Sequence, residues 1–518
     1  ANIYTVDDNF NVAEAVAIKN GLFFDIGEND ILKKYNTKES LDLNGSTVLP
    51  GLIDAHCHFY GLGLNQQEID LVGTKSFDEI LFKLKSQSVE NKTVIKARGW
   101  DQNDWDIKEF PNKDQLDVLF PNTPVVLERI DGHAYLVNQK ALDMAQISTA
   151  TKSNNGTLLK KNGKLTGVLI DGPMSLIDNV IPELSKTEKI QALLDAEKIC
   201  FKNGLTTVDD AGLSKEIILL IDSLQNKKDL KMRIYAMISN SEKNLDYFLN
   251  RKPIKTEKLN VRSVKVYGDG ALGSRGAWLI DDYTDRPGHH GMPTQSMDYV
   301  YKVAKNGILN GFQVNSHAIG DRANREILNQ YESVFNEYPD LSKDHRWRIE
   351  HAQHIDPLDI PRFGSLKVIP SIQGIHMSSD RPWAINRLGE KRIIESAYVW
   401  RDLINNGAIL INGSDVPVEP INPIASFYAS TTRKTLKGFP EGGFEPSQKM
   451  TRIEALKSYT INGAYGAFED EKKGTIEIGK VADFAVFSQN LITVPDDKIL
   501  DTKVLYTIVN GKIEYKSN

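Results

Sequence analysis

The stretch Leu49-Pro50-Gly51-Leu52-Ile53-Asp54-Ala55-His56-Cys57-His58 decides how the rest of the chain is read. It is an apolar run opened by Pro-Gly and rich in branched residues, the pattern of a buried strand, and it ends in His-x-His. Side chains on a strand alternate faces, so Leu52, Asp54, His56 and His58 point one way while Ile53, Ala55 and Cys57 point the other. Two imidazoles at a strand's C-terminal end can grip one divalent metal, or they can be satisfied by backbone carbonyls. The remainder of the chain decides between the two.

Downstream, short β-like runs alternate with helical ones, as in repeated βα units with a parallel sheet. Eight runs read as strands: residues 52–58, 205–210, 233–238, 261–269, 311–317, 347–351, 367–373 and 408–415. Eight closes a (β/α)₈ barrel, whose active site sits at the C-terminal ends of its strands. The segment from 59 to 200 is too long for one connection. It holds helical patterns at 77–88 and 187–200 and extra strands at 93–98 and 124–130, so an insertion over about 60–200 is expected to build a substrate pocket above the barrel. Both chain ends carry short strands and turns: 3–6, 13–19, Asn20-Gly21, 22–26 and 42–48, then 474–478, 482–487, 503–509, Asn510-Gly511 and 512–515. The expected architecture is a TIM-like barrel over 50–469 and a small composite β-sandwich from 1–49 and 470–518.

Composition narrows the function. The 518 residues are 40% hydrophobic and 25% charged, with a net charge of −6 and no long basic block, which argues against a nucleic-acid partner. Two cysteines, Cys57 and Cys200, allow no disulfide framework and read as packing residues. No apolar run reaches the length of a membrane span. The first residue is Ala, so an exported, trimmed form stands beside a cytoplasmic one, and a homo-oligomer is compatible with the composition.

Inward positions of a barrel are normally Val, Ile or Leu, so polar residues there need a reason. Val264-Lys265-Val266 sets Lys265 against two valines. Its bland reading is an ion pair with Asp269; its functional one is a desolvated amine that adds carbon dioxide, giving a carbamate able to bridge two metals. Three other strands end in His317, His351 and Asp415, with His354 ranked below His351 and His345 assigned to packing. Four histidines, a lysine and an aspartate at five strand ends, with no thiolate, suit catalytic Zn²⁺, with Mn²⁺ or Fe²⁺ as substitutes. Such an ion lowers the pKa of bound water, and Asp415 is placed to take that water's proton and return it to a leaving group, which is hydrolysis.

With those residues in place the sequence resembles the metal-dependent amidohydrolase superfamily, and within it the YtcJ-like branch, amidohydrolase family 3, that includes N-substituted formamide deformylases. The matching motifs are residues 50–58, Gly99-Trp100-Asp101-Gln102, Asp131-Gly132-His133 with Asn138, 204–208, 264–266 with Asp269-Gly270, 349–353, Gly413-Ser414-Asp415 with 416–418, and 479–484. The resemblance implies that His56, His58 and Asp415 hold a first metal and His317 and His351 a second, with carboxylated Lys265 between. It makes Trp100, Asp101, His133, Arg275 and His376 candidates for the pocket. Where the branch usually carries Gln-Pro this chain has Gln373-Gly374, which is expected to loosen that loop. Trp100, Trp105 and Tyr60 favour an apolar or aromatic N-substituent, so an N-acyl or N-formyl amine is the first expectation, with a cyclic amide, carbamate or ester behind it.

Two other classes compete with this one. Residues 268–273 fit a dinucleotide fingerprint, but Ser274-Arg275-Gly276-Ala277 do not begin an amphipathic helix, and the first-strand position is occupied by His-x-His. A non-catalytic binding barrel predicts missing ligands, whereas every expected ligand is present.

Overall fold

The computed structural model describes residues 1–86, 93–152 and 155–517. All eight expected barrel strands form: β1 (Leu52–Cys57), β2 (Leu205–Leu213), β3 (Arg233–Ser239), β4 (Leu259–Tyr267), β5 (Gln313–Ala318), β6 (Arg348–His351), β7 (Ile369–Ile372) and β8 (Ile411–Asn412). They lie side by side in chain order and every neighbouring pair is parallel. β4 shows why the sequence folds so. Val264 and Val266 are fully buried in the core that the outer helices cover, while Lys265 turns to the opposite face. Several of those helices start at hydroxyl caps; Lys215–Asn226, for example, begins behind Ser214 and buries Ile217, Ile218, Ile221 and Leu224 on one stripe.

β8 is only two residues long, not the eight expected, because the chain leaves the ladder at Gly413. A Cβ there would stand 2.5 Å from the backbone nitrogen of His56. Beyond that point the seam between β1 and β8 is joined by two backbone bonds, Asp415 N–H to His56 O (2.8 Å) and His58 N–H to Val416 O (2.8 Å). The residues that close the barrel are therefore the proposed metal ligands and their neighbours.

The insertion has a six-stranded sheet and a core of its own. Its strands run in the order Gly156–Lys161, Lys164–Asp171, Ala134–Val137, Val125–Arg129, Ile95–Trp100, Ile69–Asp70, and Leu84, Leu116, Leu127 and Leu136 are fully buried within it. The helix expected at 77–88 is Phe77–Ser86, its last two expected positions lying outside the described residues, and the second is Lys186–Lys202. Another six-stranded sheet joins the two chain ends, in the order Val12–Ala13, Asn2–Tyr4, Thr47–Pro50, Phe484–Phe487, Val504–Val509, Lys512–Lys516. The Asn20-Gly21 turn links Ala15–Lys19 to Leu22–Gly27, and this hairpin lays Phe23 on Ile3, Val48 and Phe484 of that sheet. Residues 474–478 are not the strand expected; Ile476 is buried in the core of the terminal sheet and its N–H is donated to Thr5 O (2.8 Å). Among the described residues no helix is long and apolar enough to cross a membrane.

Candidate active site

Asp415 lies where the barrel closes, and four imidazoles face it. Its Oδ1 is 3.2 Å from His58 Nε2 and 3.5 Å from His56 Nε2, and its Oδ2 is 3.6 Å from His376 Nε2 and 3.9 Å from His351 Nδ1. Two triads result, His56-His58-Asp415 and His351-His376-Asp415, each with ligand atoms close enough for one ion. Lys265 Nζ stands 3.3 Å from His56 Nε2. The His317 ring lies beside His351, 4.4 Å between centroids, with its Nε2 3.5 Å from Asp269 Oδ1 and outside both triads. His376, expected only as a pocket residue, thus stands nearer Asp415 than His317 does.

Strand alternation alone does not produce this cluster. On β6 the residues facing the barrel axis are Arg348, ion-paired with Asp209 of β2 (2.8 Å), and Glu350, bonded to His56 Nδ1. His351, one position on, would point outward; a φ of 76° at His351 and 41° at Ala352 turns its ring into the mouth instead. Asp415 is likewise in the left-handed region, φ 58°. Glu350 at His56 Nδ1 turns Nε2 of that ring toward Asp415 and Lys265, and Gln373 Oε1 at His351 Nδ1 (2.8 Å) fixes the second ring beside the same carboxylate. Gly374 does not loosen its loop. Its N–H is held by Asn412 Oδ1 (3.0 Å) at the start of the helix Gly374–Ser396, and a Cβ would meet Ser430 Oγ at 2.2 Å.

Burial keeps His56, His317, His351 and His376 below the usual imidazole range, so their lone pairs are available, and it brings Lys265 down to about 8. Burial works to raise the Asp415 carboxyl too, but the hydrogen bond to His58 and the neighbouring imidazoles win and hold it well below its ordinary value. Asp269 is not the ion-pair partner of Lys265: its carboxylate accepts the backbone N–H groups of Trp278, Ile319 and Gly320 at 2.8, 3.0 and 2.8 Å. A metal fits this set. Imidazoles and one carboxylate converge without a thiolate, and His317 Nε2 and His376 Nε2 are buried with no hydrogen-bond partner among the described residues.

The cavity above the ligands, about 1180 Å³, runs between the barrel mouth and the insertion. Asp101 and His133 line it; Trp100 and Arg275 do not. Trp100 is sealed in the insertion core with Nε1–H on Leu127 O (2.9 Å), and Trp105 is buried beside it, because that strand turns its apolar face inward. Arg275 is spent on Asp285, at 2.9 and 3.2 Å. Asp101 pairs with the buried Arg129. Tyr60, Tyr135, Tyr267 and Trp383 are the aromatic residues that line the cavity. His133 is bonded through Nδ1 to Asp171 Oδ1 (2.7 Å); burial alone would lower its pKa, but Asp171 prevails and pushes it up to about 9. Glu350, Gln373 and Asp171 escaped the sequence reading. Glu350 had a usable signal, a second polar residue two positions after Arg348 on one strand face. His354 and His345 are packing residues, the latter stacked on Phe335 at 4.0 Å. No helix begins between residue 273 and Met297, which disposes of the dinucleotide fingerprint.

A barrel with a buried imidazole and carboxylate cluster at the C-terminal ends of its strands defines a metal-dependent hydrolase of the barrel class. The model of the amidohydrolase family matches residues 39–515, and the chain belongs to that family. It is 33% identical to the protein LONG AFTER FAR-RED 3 of Arabidopsis thaliana over 99% of this chain and 90% of the relative. It is 30% identical to the putative amidohydrolase YtcJ of Bacillus subtilis (100% and 98%) and 24% identical to the N-substituted formamide deformylase of Arthrobacter pascens (100% and 97%). Among solved structures, an uncharacterized metal-dependent hydrolase from Pyrococcus horikoshii superposes with a TM-score of 0.77 at 25% identity, covering 96% of this chain and 97% of the other.

Proposed function

We propose that this protein hydrolyses a carbon–nitrogen bond in a small molecule, an N-formyl or N-acyl amine before a cyclic amide or ester. The observation that carries the reading is the single carboxylate of Asp415 facing the imidazoles of His56, His58, His351 and His376 in a water-accessible mouth. His56, His58 and Asp415 would hold one divalent ion. His351, with His317 or His376, would hold a second, and carboxylated Lys265 would bridge them; Zn²⁺ is the preferred ion, Mn²⁺ or Fe²⁺ the substitutes. A bound ion of this kind supplies a hydroxide equivalent at neutral pH by lowering the pKa of water from 15.7 to about 7. Asp415 would accept a proton from the attacking water and return it to the leaving nitrogen.

The deformylase relative supports an amide of this kind, and Tyr60 and Trp383 offer contact to an apolar N-substituent. The hairpin over the terminal sheet supports the composite sandwich, 1–49 with 470–518, against a barrel of 50–469. The test is a hydrolysis screen of N-formyl, N-acyl, lactam and ester compounds with metal content measured on the same sample. Turnover of an N-formyl or N-acyl amine at two metal equivalents is expected; metal-replete protein inert to the whole panel overturns the reading.

A further inference from the structure

The insertion brings one side chain into contact with the barrel histidines. The His133 ring lies 5.3 Å from that of His317, which in turn packs on His351, so His133 extends the row of imidazoles on the side away from Asp415. The residue lines the cavity; its Nδ1 is taken by Asp171, and its Nε2 has no hydrogen-bond partner among the described residues.

The support behind His133 is elaborate for a loop residue. Asp131 Oδ1 accepts the His133 N–H (3.0 Å), and the Asp171 N–H is donated to His133 O (3.1 Å). Asp171 ends its strand in a left-handed conformation, φ 56°. Its carboxylate is seated against two glycines of the loop after β4: a Cβ on Gly270 or on Gly276 would lie 2.7 or 2.6 Å from Asp171 Oδ2. The barrel thus leaves room at two positions for a carboxylate of the insertion, and that carboxylate fixes one ring.

We infer that His133 is a catalytic residue whose Nε2 hydrogen-bonds the scissile amide group on the side away from Asp415, and that Asp171 is the positioning residue that holds it there. The inference rests on the hydrolase reading above. With it, the substrate is gripped from both sides of the cluster, by a barrel residue and by an insertion residue.

The experiment uses the full-length, metal-replete protein and whichever N-formyl or N-acyl amine the wild type cleaves. His133→Phe keeps the ring packing on His317 and removes both nitrogens; His133→Gln keeps a polar group and loses the ring. His133→Phe is expected to lower kcat/KM by about 100-fold, the usual loss for one hydrogen bond to a reacting group, with metal content and melting temperature unchanged and His133→Gln retaining more activity. Asp171→Asn is expected to outperform Asp171→Ala, and Gly276→Ala, which touches neither residue's chemistry, to reproduce the Asp171→Ala defect in kcat. An active wild type with an equally active His133→Phe, or with metal lost in step with activity, overturns this inference alone. A wild type inert to the whole panel overturns the hydrolase reading and this inference with it.

Discussion

Glu350 accepts a hydrogen bond from Nδ1 of His56 inside the barrel, between β6 and β1, with both side chains fully buried. The bond sets the imidazole so that Nε2 faces Asp415 and Lys265. Removing the carboxylate releases the ring, and partners of this kind are worth about 10- to 100-fold in metal affinity. Glu350→Gln is therefore expected to weaken metal binding by about that factor, read by competition with a chelating dye. Unchanged affinity would mean that packing alone orients His56.

Asp415 is asked both to face the ions and to carry the proton. Asp415→Asn keeps an oxygen in place but abolishes the base, so kcat is expected to fall by about 10²- to 10⁴-fold while metal content falls far less. Parallel loss of the two would make Asp415 a ligand and nothing more.

Metal removal should register in stability. An ion that binds only the folded chain stabilises it by about 2.7 kcal/mol at one hundred times its dissociation constant. Treatment with a chelator is expected to lower the melting temperature, and Zn²⁺ to restore it. A melting temperature indifferent to both would deny that the cluster holds an ion.

His345 makes the fold sensitive to acid. Burial brings its pKa down to about 4, against 6.5 when unfolded, and in the folded chain its Nδ1 accepts the Trp347 N–H (2.9 Å). The unfolded chain binds the extra proton between those values. Stability is therefore full above pH 6.5, falls as the pH drops toward 4 and changes no further below it, a loss of about 3 kcal/mol at about 1.4 kcal/mol per unit. His345→Gln is expected to flatten the slope of urea-unfolding free energy between pH 6.5 and 4; an identical slope would assign the acid sensitivity elsewhere.

Trp100 belongs to the stability of the insertion. Trp100→Ala is expected to cost about 3–5 kcal/mol, seen as earlier unfolding in denaturant, whereas a rise in KM at unchanged stability would return it to the pocket.

Most of the frame was legible because it depends on local rules. Branched runs ending in His or Asp mark strands whatever surrounds them, so β1, β5 and β6 were found with their terminal histidines. The alternation rule failed where function bends the backbone. It cannot foresee that His351 and Asp415 reach the mouth through left-handed conformations, or that Glu350 rather than His351 is the regular inward residue of β6. Long-range placement was equally out of reach. Trp100 and His133 lie in similar short motifs of the same insertion, yet one is sealed in its core and the other is aimed at His317, a difference set by how that sheet docks on the barrel. Residues 474–478 carry the apolar alternation of a strand but use it for packing alone, burying Ile476 against the terminal sheet without joining its ladder.

The seam between β1 and β8 carries one more implication, for the order of events in the cell. His56 and His58 emerge early in synthesis and Asp415 late, and the same pairing that brings them together shuts the barrel. A chain stopped short of Asp415 therefore lacks both the seam and the shared corner of the two triads: one late residue completes the cluster and the barrel together.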